Sequence, residues 1–117
     1  YQPFPIEEWC YYKADRLIGV GYVDCLPSLD GASRPEGSGV TEPGGLSAIY
    51  FFWDPRERHR SLGTYNVLRV IDEARRRGLP FVYLGYFVEG CQSMQYKARF
   101  LPNEVRGPHG EWRRFRE

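Results

Sequence analysis

Leu46-Ser47-Ala48-Ile49-Tyr50-Phe51-Phe52-Trp53 is an apolar and aromatic run that stops at Asp54-Pro55 and passes through Arg56-Glu57-Arg58-His59-Arg60 into Ser61-Leu62-Gly63-Thr64. The run reads as a strand, apolar on both faces and so central in a sheet. Asp54-Pro55 is a turn signal. Ser61 is placed to cap a helix from Leu62 to about Arg77, with Thr64, Leu68, Ile71 and Ala74, and Val67 beside them, as its buried stripe. Gly78 is the expected C′ residue, and Arg75, Arg76 and Arg77 suit the negative end of the helix dipole. After Pro80, Phe81-Val82-Tyr83-Leu84-Gly85-Tyr86-Phe87 reads as another strand. Strand, helix and strand at this spacing predict a right-handed crossover with the two strands parallel, and an α/β fold with a mixed sheet flanked by helices.

Upstream, Leu17-Ile18-Gly19-Val20-Gly21-Tyr22-Val23-Asp24 predicts a strand with Ile18, Val20 and Tyr22 on one face and two glycines on the other. A close approach by a neighbour is the usual reason for such glycines. Residues 27–45 hold eight Gly or Pro among nineteen and read as a flexible hairpin loop. Downstream, a short helix is predicted near Cys91 to Ala98. The tail, residues 106–117, carries Arg113, Arg114 and Arg116 around Trp112 and Phe115 and reads as a basic edge strand or a ragged end.

At 117 residues, with nine Tyr, seven Phe and three Trp, the chain is expected to form one packed domain rather than a disordered or fibrous segment. No stretch approaches 18 apolar residues, so no membrane partner is expected. Three cysteines without a CxxC pair, and two histidines, argue against a disulfide framework or a zinc site. No metal is expected, and a reducing, cytoplasmic setting is favoured. The formal charge of +1 hides two opposed halves. Residues 1–54 carry 3 basic and 8 acidic groups, and residues 55–117 carry 13 basic and 7 acidic. Fourteen of the basic residues are Arg. A GC-rich genome would produce that bias without any function, but Arg forks also grip phosphate in a fixed geometry.

Two segments can carry chemistry. Arg56, Arg58 and Arg60 lead into a helix start at Ser61, Gly63 and Thr64, where unpaired backbone N–H groups favour an anion; the bland alternative is a capped helix with solvated arginines. Tyr83-Leu84-Gly85-Tyr86, followed by Glu89, Cys91, Met94, Tyr96, Lys97 and Arg99, looks like the rim of a cleft, or else like core packing with solvated cations. No GxGxxG or GxxxxGKS/T is present.

Gly45 to Pro55, Arg60 to Tyr65, Gly78-Leu79-Pro80 with Tyr83 to Tyr86, and Cys91, Met94, Tyr96 to Phe100 and Pro102 together resemble the C-terminal domain of the aminoacyl-tRNA–protein transferases. These are the arginyltransferases and the bacterial aspartate/glutamate leucyltransferases, and the similarity covers about residues 16–105. The resemblance implies a GNAT-like domain that moves Arg or Leu from charged tRNA to the α-amine of proteins beginning with Asp or Glu, marking them for degradation. No cofactor is implied. It further implies tRNA phosphate at Arg56, Arg58, Arg60, Ser61, Gly63 and Thr64. Lys97 and Arg99, with Cys91 nearby, would bind the acidic N-terminal residue. Tyr86 and Tyr96 would assist the reacting carbonyl, and Asp54 or Glu89, with a raised pKa, would orient or deprotonate the amine. The family's cysteine-rich N-terminal domain is absent from these residues, so the chain is expected to be a piece that partners it. An acetyl-CoA-dependent N-acetyltransferase and a non-catalytic tRNA- or protein-binding module are the alternatives.

Overall fold

The helix predicted from Ser61 onward is the element against which the rest of the first unit packs. The computed structural model describes residues 6–26, 44–87 and 90–116. Two compact units divide the chain, residues 1–85 and 86–117, and they are taken in turn.

In the first unit β1 (Ile6–Lys13), β2 (Arg16–Leu26), β3 (Gly45–Trp53) and β4 (Phe81–Tyr83) form a four-stranded sheet in the order β1-β2-β3-β4. The pairs β1/β2 and β2/β3 are antiparallel, and β3/β4 is parallel across α1 (Leu62–Arg76), as the crossover reading requires. The sheet is therefore mixed, and β3 lies inside it. β1 had no counterpart in the sequence reading. The loop predicted over 27–45 falls, apart from its last two residues, outside the described residues.

The end of α1 follows its sequence closely. Gly78, at φ +71, gives its N–H to Arg75 (3.1 Å), and Leu79 N–H reaches Ala74 O (2.8 Å). This is a Schellman closure, and Leu79 packs back on the core beneath it. The buried stripe is Leu62, Asn66, Val67, Val70 and Ala74, which corrects the predicted one: Leu68 is half exposed, and Thr64 and Ile71 are only partly covered. The stripe turns because Asn66 belongs to it. Its Oδ1 accepts the Tyr11 hydroxyl at 2.7 Å, which meets the cost of burying that polar oxygen. Burial beside α1 also pushes the Tyr11 hydroxyl up to about 12, so it stays a donor at neutral pH.

Val23, Leu46, Val70 and Ala74 make the core, with Trp9, Cys25, Leu79 and Val82 against it. The glycine face of β2, not the Ile18–Val20–Tyr22 face, lies under the helix. A Cβ on Gly21 would stand 3.0 Å from Asn66 Oδ1, and one on Gly19 would meet the Phe51 ring at 3.0 Å. The register of β2 against β3 shifts once, Tyr22 facing Tyr50 and Val23 facing Ala48, which leaves Ile49 as an extra residue in β3. Leu46 and Ala48 thus share the helix side with Phe51 and Trp53, while Tyr50 and Phe52 face the other way, stacked on each other and more than half exposed. β4 ends at Tyr83, four residues before the predicted strand end, and Gly85 at φ +83 then turns the chain away from extended backbone.

The second unit contains a 3-10 helix, Gln95–Arg99, where a short helix was predicted, and an antiparallel hairpin of β5 (Asn103–Arg106) and β6 (Trp112–Arg116). Asn103 Nδ2 donates to the Ala98 and Phe100 carbonyls, each at 3.1 Å, tying helix to hairpin. Phe87 packs on Phe115 with ring centroids 5.6 Å apart. The tail is therefore an edge strand and not a ragged end.

Two expectations follow. Gly45 lies so close to β4 that an added Cβ would sit 2.5 Å from the Phe81 carbonyl oxygen. Gly45→Ala should lower stability by about 1–3 kcal/mol in urea unfolding; an unchanged midpoint would refute the close approach. Glu7 receives two 2.8 Å bonds from Arg77, with Trp9 Nε1 donating at 3.0 Å, and together these hold its carboxyl down to about 2 from 4.5. The stabilisation is present above pH 4.5 and is lost as pH falls toward 2. Glu7→Gln should cost about 1 kcal/mol at pH 7 and progressively less down that window.

Candidate functional site

The arginine-rich connection from β3 to α1 is a built structure rather than a solvated loop. Asp54 N–H donates to Ile18 O at 2.8 Å, which fastens the strand end, and the Asp54 side chain caps a 3-10 helix over Pro55–Arg60 by accepting from Arg56 N–H at 2.9 Å. Glu57 is 2% exposed in the middle of this turn. Its carboxylate pairs with Arg16 from the β1–β2 corner and with Arg60 Nε at 2.6 Å, while Lys13 and His59 stand 4.0 Å away. The bond from Arg60 chiefly holds the Glu57 carboxyl below the usual range.

These contacts decide which arginines remain available. Arg56 forks onto Asp54 through Nε (3.1 Å) and Nη2 (2.7 Å), and Arg60 is held by Glu57. Arg58 has no carboxylate within ion-pair distance among the described residues. It lines a groove of about 400 Å³ with Phe51, Phe52, Trp53 and Pro55. Ser61 occupies the N-cap position, but its side chain makes no capping bond. Its backbone is left-handed, at φ 52, because the same residue closes the 3-10 helix by giving its N–H to Arg58 O. Nothing lies within 4 Å of the place a Cβ would take on Gly63, so the helix start at Ser61, Gly63 and Thr64 is open on that side.

Asp54 has surroundings opposite to those a general base requires. Bonds from Arg56, with Arg16 also near, lower its carboxyl to about 2, whereas a base needs a raised value. Its observed work is to cap the 3-10 helix and hold two arginines.

In the second unit the predicted residues Tyr86, Cys91, Tyr96, Lys97 and Arg99 fall within one stretch; Glu89 lies outside the described residues. Lys97 Nζ donates to the Tyr86 carbonyl at 2.8 Å, and burial lowers its pKa. The Tyr86 ring is 88% exposed, and Arg99 is exposed as well. Cys91 Sγ lies 3.4 Å from the Ser93 hydroxyl, and this contact, with two backbone N–H groups and Lys97, lowers the thiol. Burial raises the Tyr96 hydroxyl, which keeps it protonated as a donor. Among the described residues no three His, Cys, Asp or Glu side chains converge to hold a metal, and no helix is long and apolar enough to cross a membrane.

Sequence reasoning missed Glu57, Arg16 and Asn66. The signal for Glu57 was its position as the lone acid among four basic neighbours, which suits a carboxylate that neutralises them from below. Glu57→Gln should leave Arg60 without its counter-ion and Arg16 with Asp54 alone, and loosen the turn. Amide exchange at Arg58 and Ser61 should then quicken while exchange in α1 beyond Val67 stays as it was; equal protection in the variant would refute the anchoring role.

Comparison with known proteins places these elements in a family. Residues 37–107, more than half of the chain, match the family described as arginine-tRNA-protein transferase, C terminus. The match includes β3, α1, β4 and the Cys91–Arg99 stretch and leaves β1 and β2 outside it. The chain is similar to the aspartate/glutamate leucyltransferase of Brucella ovis, 58% identical over 71 residues, which are 61% of this chain and 28% of that protein. It is similar to the protein of the same name from Rhodopseudomonas palustris, 54% identical over 66 residues, which are 56% of this chain and 26% of that one. The chain thus spans just over a quarter of the length of these curated relatives. With the match running through the strand, the arginine turn and the helix that build the site, the chain belongs to the arginine-tRNA-protein transferase family, C terminus.

Proposed function

We propose that the chain is the part of an aminoacyl-tRNA–protein transferase that holds charged tRNA and the receiving amine. The transferred residue would be leucine, by the names of its relatives, or arginine, by the name of its family, and the acceptor a protein beginning with Asp or Glu. The observation that carries this reading is the family match over the β3–α1–β4 crossover and its arginine turn. We read the same crossover, with its open helix start at the end of β3, as a GNAT-like arrangement acting in the cytoplasm.

The reaction is the aminolysis of an ester. An uncharged α-amine attacks the aminoacyl carbonyl carbon, a C–N bond forms, the C–O bond to the tRNA ribose breaks, and the amine proton goes to the departing ribose oxygen. Such a step gains most from positioning and from donors at the carbonyl oxygen. Arg58 and the N–H groups near Gly63 and Thr64 would take phosphate, supplying affinity that falls with salt. Arg56 and Arg60, already paired with carboxylates, would shape the turn and add positive field. Lys97 and Arg99, with Cys91 beside them, would meet the carboxylate of the receiving residue, and the protonated Tyr96 hydroxyl or Tyr86 would donate to the reacting carbonyl. Glu89 is left as the carboxylate that orients the amine.

Transfer of labelled Leu or Arg from charged tRNA to Asp-initiated and Gln-initiated peptides tests this reading, with the chain alone and joined to the sequence its relatives carry beyond the match. Transfer to the Asp peptide is expected, with the preference over Gln weakened in Lys97→Ala or Arg99→Ala. Arg58→Ala should weaken tRNA binding and reduce the slope of log affinity against log salt by about 1. No transfer in either form, together with an unchanged salt slope in Arg58→Ala, would overturn it.

A further inference from the structure

β1 ends its sheet: β2 pairs with one edge of it, and among the described residues no strand pairs with the other. An eight-residue edge is a template for a further strand unless charge, proline or a covering element blunts it. Here Glu7, Glu8 and Lys13 stand toward the ends, and the middle, Trp9-Cys10-Tyr11-Tyr12, carries neither charge nor proline. Side chains alternate along the strand. Glu7, Trp9 and Tyr11 are partly buried on the helix side, while Glu8, Cys10 and Tyr12 are exposed on the other. On the helix side a cavity of about 360 Å³ lies between β1 and α1, walled by Trp9, Cys10 and Tyr11 from the strand and by Tyr65, Arg69 and Glu73 from the helix.

We propose that the free edge of β1 pairs antiparallel with β1 of a second copy, Cys10 opposite Cys10 across a two-fold axis, so that the two sheets become one. An axis normal to the sheet keeps both α1 helices on the same side, and helix-side residues then oppose helix-side residues. Three registers obey that rule near the middle of the strand. Centring on Trp9 sets Glu7 opposite the partner's Tyr11, and centring on Tyr11 sets Lys13 opposite the partner's Trp9. Centring on Cys10 sets Glu7 opposite the partner's Lys13 and Trp9 opposite the partner's Tyr11, and symmetry repeats both pairs. Opposite charges and aromatic rings facing each other across strands stabilise the pairing. Lys13, half exposed and 4.0 Å from Glu57, has the reach to turn to the partner's Glu7. On the far face Tyr12 meets the partner's Glu8, a carboxylate that already accepts the Tyr22 hydroxyl at 3.1 Å. The occupant is a second copy because β1, read in reverse, is its own complement: acid to base toward the ends, ring to ring inside. β1 lies outside residues 37–107, so this surface stands or falls apart from the proposed activity.

Sedimentation of the 117-residue chain from about 1 to 100 µM should show a monomer–dimer equilibrium, since a contact of one strand pair is small and belongs to the weak class. Cys10 is exposed in the single copy, so Cys10→Lys leaves the fold alone while setting two ammonium groups against each other at the axis. It should weaken association by about tenfold or more, with the far-UV spectrum and melting temperature unchanged. Cross-linking on a Cys10→Ser background reads the register. Glu8→Cys and Tyr12→Cys face each other and should join when mixed. Neither should join with itself, because like positions lie about 13 Å apart along the strand, beyond the reach of a short bismaleimide. Cys10→Ser alone gives the background from Cys25 and Cys91. Should Cys10→Lys lose its far-UV spectrum, the mixed cross-link decides. A wild-type chain still monomeric at about 100 µM, a dimer that Cys10→Lys leaves intact, or self-linking equal to mixed linking would overturn the proposal. A monomer that takes up an added extended peptide along β1 would assign the edge to a foreign strand and overturn it as well.

Discussion

A carboxylate nearly sealed from water cannot remain ionised without partners, and the partners that Glu57 gathers organise the loop end of the first unit. Arg16 comes from the corner between β1 and β2, Arg60 from the last residue of the 3-10 helix, and Lys13 and His59 complete the ring. Burying such a group is costly by itself, so its worth lies in geometry: the turn has one arrangement in which Glu57 answers both Arg16 and Arg60. That arrangement sends Arg58 away from the acid, closes the 3-10 helix on Ser61 and starts α1 in the next residue. The groove, the open helix start and the strand end are all downstream of this one constraint.

The opposed charges of the two chain halves acquire a local meaning in the same way. Acids from the first half meet arginines from the second at Glu7–Arg77 and at Asp54–Arg56. Arg69 and Arg76 spend their charge on neighbours along α1. Counting arginines therefore overstates the positive surface. Among the described residues of the arginine turn, the one that folding leaves without an ion pair is Arg58.

The crossover was legible because its signals are local and strong: an apolar run, a turn dipeptide, a helical period and Gly78 at the stop. The candidate site was legible only as a segment, three arginines before a helix start. Three things were not. The rotation of the α1 stripe depends on Asn66, which looks like a surface residue until Tyr11, 55 residues away in sequence, supplies its partner. The β1 strand pairs two glutamates with aromatic neighbours, and its alternation is masked because Trp9 and Tyr11 face the helix while Cys10 and Tyr12 do not. The division of labour among Arg56, Arg58 and Arg60 is set by two carboxylates whose reach only the folded turn determines. Each miss is a long-range pairing, which neither composition nor periodicity encodes.

The single register shift beside Ile49 has a consequence for how this segment can vary. It makes the two halves of β3 opposite in phase, so that Leu46 and Ala48 face the helix from even positions while Phe51 and Trp53 reach the same side from odd ones. Replacement of one aromatic ring by another preserves that phase, and loss of Ile49 would leave Ala48 opposite Val23 and Tyr50 opposite Tyr22 in an unbroken ladder, whereas loss of Phe52 would turn Trp53 to the wrong side of the sheet. The bulge is thus the place where this strand tolerates a change of length, and the aromatic half beyond it is not.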